Sequence, residues 1–195
     1  MKVDKNLKDQ MLFIKKFVTE PRTIGSVTPS SPQLVDSMLQ NADWGKIGAI
    51  AELGAGTGVM TRAIIERKAK DSDLLVFEIE EELRKNLENE TRLEIYADAC
   101  SLPEVMKSRG IKRADLIVSS LPFTVLPREV TAAVMDGVTR SLAPDGSFVA
   151  FQYSLHMKGT LEKLFEKVDV RFVMMNIPPA FVYECRGVRE RHADE

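Results

Sequence analysis

Along this chain the apolar positions switch between two periods, and the switches mark out its elements. Short apolar runs predict strands near 48–53, 73–78, 92–96, 114–119, 146–152, 168–174 and 180–185. Apolar residues at three- and four-residue spacing predict helices near 59–68, 80–88, 102–108, 128–141 and 158–166. Strands and helices that alternate in this way build a mainly parallel sheet covered on both faces. Ligands in such sheets sit beyond the carboxyl ends of the strands. The fold expected is α/β, with a seven-stranded sheet of six parallel strands. The last strand, 180–185, is reversed, because only the short connection from Asn176 to Pro179 joins it to 168–174.

Ahead of the first strand the pattern is different. Leu7, Met11, Ile14 and Val18 recur at helical spacing, with Leu12, Phe13 and Phe17 widening the stripe, so residues 1–20 read as an amphipathic helix. Lys8, Lys15 and Lys16 belong to its polar surface. Residues 1–22 carry six Lys/Arg against three Asp/Glu, a net +3 that leaves −5 for the rest. Such a helix can lie on an anionic membrane surface or pack its stripe on the domain. Pro21 ends it, and 21–32 reads as a long loop rich in Ser, Thr, Gly and Pro. Ser31 is placed to cap a next helix whose first residue is Pro32. The partition expected is one domain over 1–195: helix 1–20, loop 21–32, core 33–186 and polar tail 187–195.

Composition narrows the classes. At 195 residues one domain with a substantial core is expected. A formal charge of −2 argues against DNA, and against RNA held by its phosphates. Cys100 and Cys185 make no disulfide framework and point to a reducing compartment. No run of 18 apolar residues spans a membrane, and no signal peptide opens the chain, so a cytoplasmic or peripheral protein is expected. His156 and His192 stand far apart, and no metal site is expected.

The candidate chemistry centres on Glu52-Leu53-Gly54-Ala55-Gly56-Thr57-Gly58, between a strand and a helix. Its glycines permit positive φ and close approach of a ligand, and the helix start favours an anionic group. The spacing is G-x-G-x-G, not the dinucleotide G-x-G-x-x-G. Glu52 beside it is a poor neighbour for a pyrophosphate but a good one for a cation. S-adenosylmethionine, with a carboxylate, an ammonium and a sulfonium, fits both ends. Glu78 ends the second strand 20 residues beyond Gly58, where a ribose diol is hydrogen-bonded; Glu80 is its rival. Asp98, after the third strand, is placed for an adenine amino group or for a turn. Ser120-Leu121-Pro122-Phe123 follows the fourth strand. Its proline leaves carbonyls free to hold an amine, and Phe123 offers a ring face or merely fills the core.

In order and spacing these motifs resemble class I S-adenosylmethionine-dependent methyltransferases. Two subfamilies come close. The rRNA adenine N6-dimethyltransferases carry Asn where this chain has Ser120, and they end in an RNA-contacting helical domain for which about ten residues remain here. The bacterial soluble phospholipid N-methyltransferases, which act on phosphatidylethanolamine, are similar along nearly the whole length. The similar segments are the basic amphipathic helix, Gly25 to Ser31, Ser119-Ser120-Leu121-Pro122, Phe151-Gln152-Tyr153 and Asn176-Ile177-Pro178-Pro179-Ala180.

The resemblance implies a Rossmann-like fold and S-adenosyl-L-methionine as cofactor. It implies a cofactor site of Ser30, Ser31, Glu52, Gly54, Ala55, Gly56, Gly58, Glu78, Ile79, Asp98, Ala99 and Ser119, with the 25–31 loop folding over it. Leu121, Pro122 and Phe123 then hold substrate. Ser120 and Tyr153 are the catalytic candidates, Tyr153 orienting an amine or passing its proton through water, although a Tyr there can also be core. A binding protein of this fold without catalysis is the remaining alternative.

Overall fold

The computed structural model describes residues 30–190. The helix expected over 1–20 with its Lys8, Lys15 and Lys16, and most of the loop expected over 21–32, lie outside them. Helix α1 (Pro32–Leu39) opens the described chain. The side chain of Ser31 accepts from the Leu34 N–H at 3.1 Å and Pro32 stands in the first turn, as expected of a capped start. Then follow β1 (Ala49–Leu53), α2 (Val59–Arg67), β2 (Asp73–Phe77), α3 (Glu81–Thr91) and β3 (Ile95–Tyr96). A 3₁₀ turn at Ala99–Ser101 leads to α4 (Leu102–Ser108), β4 (Ala114–Ser119), α5 (Arg128–Ser141) and β5 (Leu142–Gln152). The described chain closes with α6 (Lys158–Leu164), β6 (Phe165–Val173) and β7 (Ala180–Val188).

The seven strands form one sheet in the order β3-β2-β1-β4-β5-β7-β6. From β3 to β5 every pairing is parallel, and β7 runs antiparallel to both β5 and β6. Six strands thus share a direction, and the last in sequence is reversed, inserted between β5 and β6. β1 is buried along its whole length, as a central parallel strand must be. Its residues alternate between two cores. Ala51 and Leu53 pack with Ile117, Phe148, Leu102 and Val138 on one face. Ile50 lies on the other face with Val76, Val118, Met60, Ile64 and the α1 residues Leu34, Val35, Met38 and Leu39.

Element edges depart from expectation for local reasons. β3 is two residues long, not five, because Arg92 still closes α3 in the left-handed region at φ 63°. α6 stops at Leu164, and β6 begins at once with Phe165, which is buried and stacks on Phe148 at 5.9 Å. β5 reaches back to Leu142 through a register shift opposite Ala114 to Leu116. The expected polar tail from 187 is corrected at its start: Gly187 and Val188 still belong to β7, with Val188 paired to Phe165.

Candidate active site

The carboxyl ends of β1, β2, β4 and β5 converge on one edge of the sheet, and the motif residues gather there. The turn after β1 holds three left-handed glycines, Gly54 at φ 82°, Gly56 at 55° and Gly58 at 81°. Their surroundings differ. A Cβ on Gly54 would meet Leu121 at 3.0 Å, and one on Gly58 would meet Leu87 at 2.5 Å, so these two glycines permit close packing. A Cβ on Gly56 would meet nothing within 4 Å, so this glycine borders open space. The Gly54 and Ala55 N–H groups donate to the Phe77 carbonyl at 2.8 and 3.0 Å, tying the turn to β2. Arg62 braces it from outside, donating to the Thr57 carbonyl and to Glu90. No side chain caps α2, whose first turn is left to face an anion.

Glu78 and Glu80 divide the work that sequence left open between them. Glu78 turns to the glycine loop: its carboxylate accepts from the Gly56 N–H at 2.6 Å and the Glu80 N–H at 2.8 Å. Burial raises its pKa, against the pull of those two backbone N–H groups. Glu80 instead caps α3, accepting from the Leu83 N–H at 2.9 Å. Arg84 fastens the segment through the Glu78 and Ile79 carbonyls at 3.1 and 3.4 Å. Asp98 accepts from the Cys100 N–H at 2.9 Å and so starts the 3₁₀ turn that carries Ala99.

Glu52, at the end of β1, lies beneath the glycine turn. It is fully buried on the α2 face of β1, and both carboxylate oxygens lack a hydrogen-bond partner. The Thr61 hydroxyl, also buried and unpartnered, belongs to the α2 turn above. Burial pushes the Glu52 pKa up to about 7; nearby Thr61 works against it and the Glu78 charge adds to it.

After β4, Ser119 is buried and its hydroxyl accepts from the Leu121 N–H at 3.3 Å. The Ser120 N–H donates to the Leu53 carbonyl at 2.9 Å, which docks this segment beside the glycine turn. Leu121 and Pro122 are half-buried. Of the two readings of Phe123 the structure takes the second: it is 4% exposed and joins the core, so its ring is not offered to a substrate. Tyr153 is 49% exposed and meets Phe151 edge-on at 5.7 Å. Partial burial raises the Tyr153 pKa, with the Asn176 side chain pulling the other way, so it is a neutral phenol at neutral pH. The buried Tyr183 hydroxyl donates to the Ser154 carbonyl at 2.9 Å and holds the turn that presents Tyr153.

Two residues that the sequence reading quoted within similar segments, but gave no role, position this edge. Gln152, buried at the end of β5, donates to the Leu121 carbonyl at 2.8 Å and links the β4 and β5 ends. Asn176, 2% exposed, accepts from the Ser31 N–H at 3.0 Å and donates to the Pro178 carbonyl at 2.7 Å. The available signal was a polar amide set alone within an uncharged, mostly apolar run. Ser31 thereby reaches this edge through its backbone while its hydroxyl caps α1, and Ser30 precedes it. A cavity of about 330 Å³ lies elsewhere, by α1 and the starts of β1 and β4. Three of its four acids are engaged: Asp115 with the Gly48 and Ala49 N–H groups, Asp43 with Lys46, and Glu184 with Asn41. It holds none of the motif residues.

No family model matches the sequence. Over 190 residues the chain is 33% identical to the ornithine lipid N-methyltransferase of Singulisphaera acidiphila, covering 94% of this chain and 99% of that relative. The solved N-methyltransferase NodS from Bradyrhizobium japonicum WM9 aligns with a TM-score of 0.62 at 15% identity, covering 80% of this chain and 93% of its own. A precorrin-6y C5,15-methyltransferase from Geobacter metallireducens aligns with a TM-score of 0.61 at 14% identity, covering 80% and 88%. At such identities these two speak for the fold alone.

Proposed function

Since the chain belongs to the lipid N-methyltransferase family and uses S-adenosylmethionine, we propose that it methylates the amine headgroup of phosphatidylethanolamine and of its methylated derivatives. The work is done at the inner face of the cell membrane, by a peripherally bound protein. No described helix is long and apolar enough to cross a bilayer. The observation that carries the reading is the convergence of a glycine-turn site with an exposed Tyr153 on one sheet edge, in a chain with a lipid-methylating relative over 94% of its length.

The residues present suit the cofactor. Gly56 borders open space, α2 begins without a side-chain cap, and beneath it lie the orphaned oxygens of Glu52. The Gly54–Gly58 turn would take the methionine part, Glu78 the ribose, and Asp98 with Ala99 the adenine; Ser30 and Ser31 start at the same edge. When bound, the cofactor supplies an electrophilic methyl group on a sulfonium. The protein's part is to align and desolvate the amine. In the segment fixed by Ser119 and Gln152, the Ser120 carbonyl would accept from the amine's N–H, since the Leu121 carbonyl already accepts from Gln152 and the Phe123 N–H and the Pro122 carbonyl from the Val125 and Leu126 N–H groups. The Tyr153 hydroxyl, a neutral phenol, would orient its lone pair rather than act as a base. The ammonium proton leaves to water, and turnover rises with pH as more headgroup is neutral.

A second reading is favoured by the relative's own name: N-methylation of an ornithine lipid, whose amine would be the acceptor in place of phosphatidylethanolamine's. Methyl transfer from labelled S-adenosylmethionine to each lipid in mixed micelles separates the two. Labelling of rRNA with both lipids left unlabelled would overturn the proposal, and would make Ser120 a stand-in for the asparagine that holds an adenine amine.

A further inference from the structure

Six of the seven large apolar side chains exposed among the described residues lie on one edge of the molecule. Phe172 is 55% exposed, Met174 73%, Met175 67% and Ile177 77%; Tyr153 and Leu155 are 49% and 48% exposed. The register shows why they meet. Phe172 pairs with Phe181, and Phe181 with Gln152, so the loop after Val173 projects past the sheet beside the segment that carries Tyr153. The loop is anchored from within by Asn176, through Ser31 and Pro178, which leaves Met174, Met175 and Ile177 facing outward. Pro178 and Pro179, both exposed, offer no N–H that would have to be desolvated. The tilted Phe172–Phe181 ring pair, at 5.0 Å, stiffens its base.

Charge is distributed to match. Residues 172–183 hold no ionisable group except Tyr183, which is buried. Residues 146–161 and 170–183 contain no Asp or Glu, in a chain that has 29 of them; Arg171 beside the loop is held by Glu184, and Lys158 lies 3.7 Å from Glu162. An apolar tip with a rim free of acids matches a bilayer surface: the tip enters the acyl boundary, and no carboxylate of the rim repels anionic headgroups. Flexible methionines suit a fluid, irregular partner.

We propose that the β6–β7 loop, through Met174, Met175 and Ile177, is a membrane-insertion element that seats the site mouth on the bilayer. The assignment rests on the lipid-methylation reading for its purpose, but not for its test. A Trp44→Phe, Met175→Trp variant, whose single tryptophan is then the one in the loop, is mixed with vesicles of phosphatidylcholine and phosphatidylglycerol at 0.5 M salt, where surface attraction is screened. Its emission should shift to the blue and be quenched by brominated acyl chains. The triple variant Met174→Ser, Met175→Ser, Ile177→Ser should lose about 100-fold or more in vesicle partitioning and, when phosphatidylethanolamine is included in the same vesicles, turnover of that lipid with it. Its turnover of a short-chain phosphatidylethanolamine kept below its micelle concentration should match wild type.

Equal partitioning of triple variant and wild type, or no quenching, overturns the proposal. An emission already blue-shifted without vesicles also overturns it, since another part of the chain, such as 1–29, would then cover the loop. Short-chain lipid methylation without loop insertion sinks the insertion and spares the lipid reading. Loop insertion with no lipid methylated does the reverse.

Discussion

Glu52 and Glu184 lie in one transverse row of the sheet, Glu52–Val118–Val149–Glu184, and so point to the same face. Both are buried, at 0% and 3% exposed. Their surroundings are opposite. Glu184 receives Asn41 and Arg171, each at 2.6 Å, and Arg186 as well. Arg171 passes on to the Ser37 carbonyl at 2.8 Å, so the cluster ties α1 to β6 and β7. Burial works to raise the Glu184 pKa, but the hydrogen bonds from Arg171 and Asn41 and the charges of Arg171 and Arg186 win, and it falls. Glu52 has no partner, and burial carries its pKa to about 7. Identical residue type and depth thus give scaffolding under α1 and an unfinished polar group under the glycine turn. A buried carboxyl without partners costs stability unless something binds to use it.

Breaking the satisfied glutamate should have the largest effect. Glu184→Ala strands Arg171 and should cost about 3–5 kcal/mol of unfolding free energy, as pairs of this kind do when one member is removed. Urea denaturation reads it, and an unmoved midpoint would mean that the cluster is not scaffolding. Next, Gly56→Val puts a β-branched side chain at φ 55° into the open flank. Cofactor affinity should fall on the order of 100-fold, equal to about 3 kcal/mol, while the melting temperature drops far less than for Glu184→Ala. Titration calorimetry and a thermal melt make the contrast.

Glu52→Gln sharpens the comparison through pH. Because the folded-state pKa of Glu52 is raised above its ordinary 4.5 to about 7, the fold binds more protons than the unfolded chain between those values. Its stabilising share is therefore fully present below about 4.5 and is lost as pH rises through about 7. Glu52→Gln should remove that fall and be the more stable protein at pH 8, by roughly 1–3 kcal/mol. Wild-type cofactor affinity should weaken as pH drops below about 7, because the proton neutralises the carboxylate under a cationic ligand; the variant should lose this dependence. Parallel pH curves for the two proteins would remove Glu52 from the site. Smallest of all, Tyr153→Phe should lower kcat on lipid about tenfold, near 1.4 kcal/mol, with cofactor Kd and stability unchanged. Unaltered kcat would leave Tyr153 a bystander.

What the sequence determined was the local part: element order, the G-x-G-x-G turn, Ser31 with Pro32 at a helix start, and a reversed last strand. Periodicity, φ preference and capping act between near neighbours, so they can be read from a linear string. Sequence set Glu78 and Glu80 as rivals at the end of β2; the tertiary structure turned Glu78 to the glycine loop and Glu80 to the α3 cap. The tertiary structure decided what depends on strands meeting. It put β7 between β5 and β6, and it sank Glu52 beneath the site and Phe123 into the core. It brought Gln152 to Leu121 and Asn176 to Ser31 across 145 positions of chain. It also decided that Glu184 has three partners and Glu52 none. Burial and pairing are properties of long-range contacts, and no spacing along the chain encodes which of two glutamates will find a counter-charge.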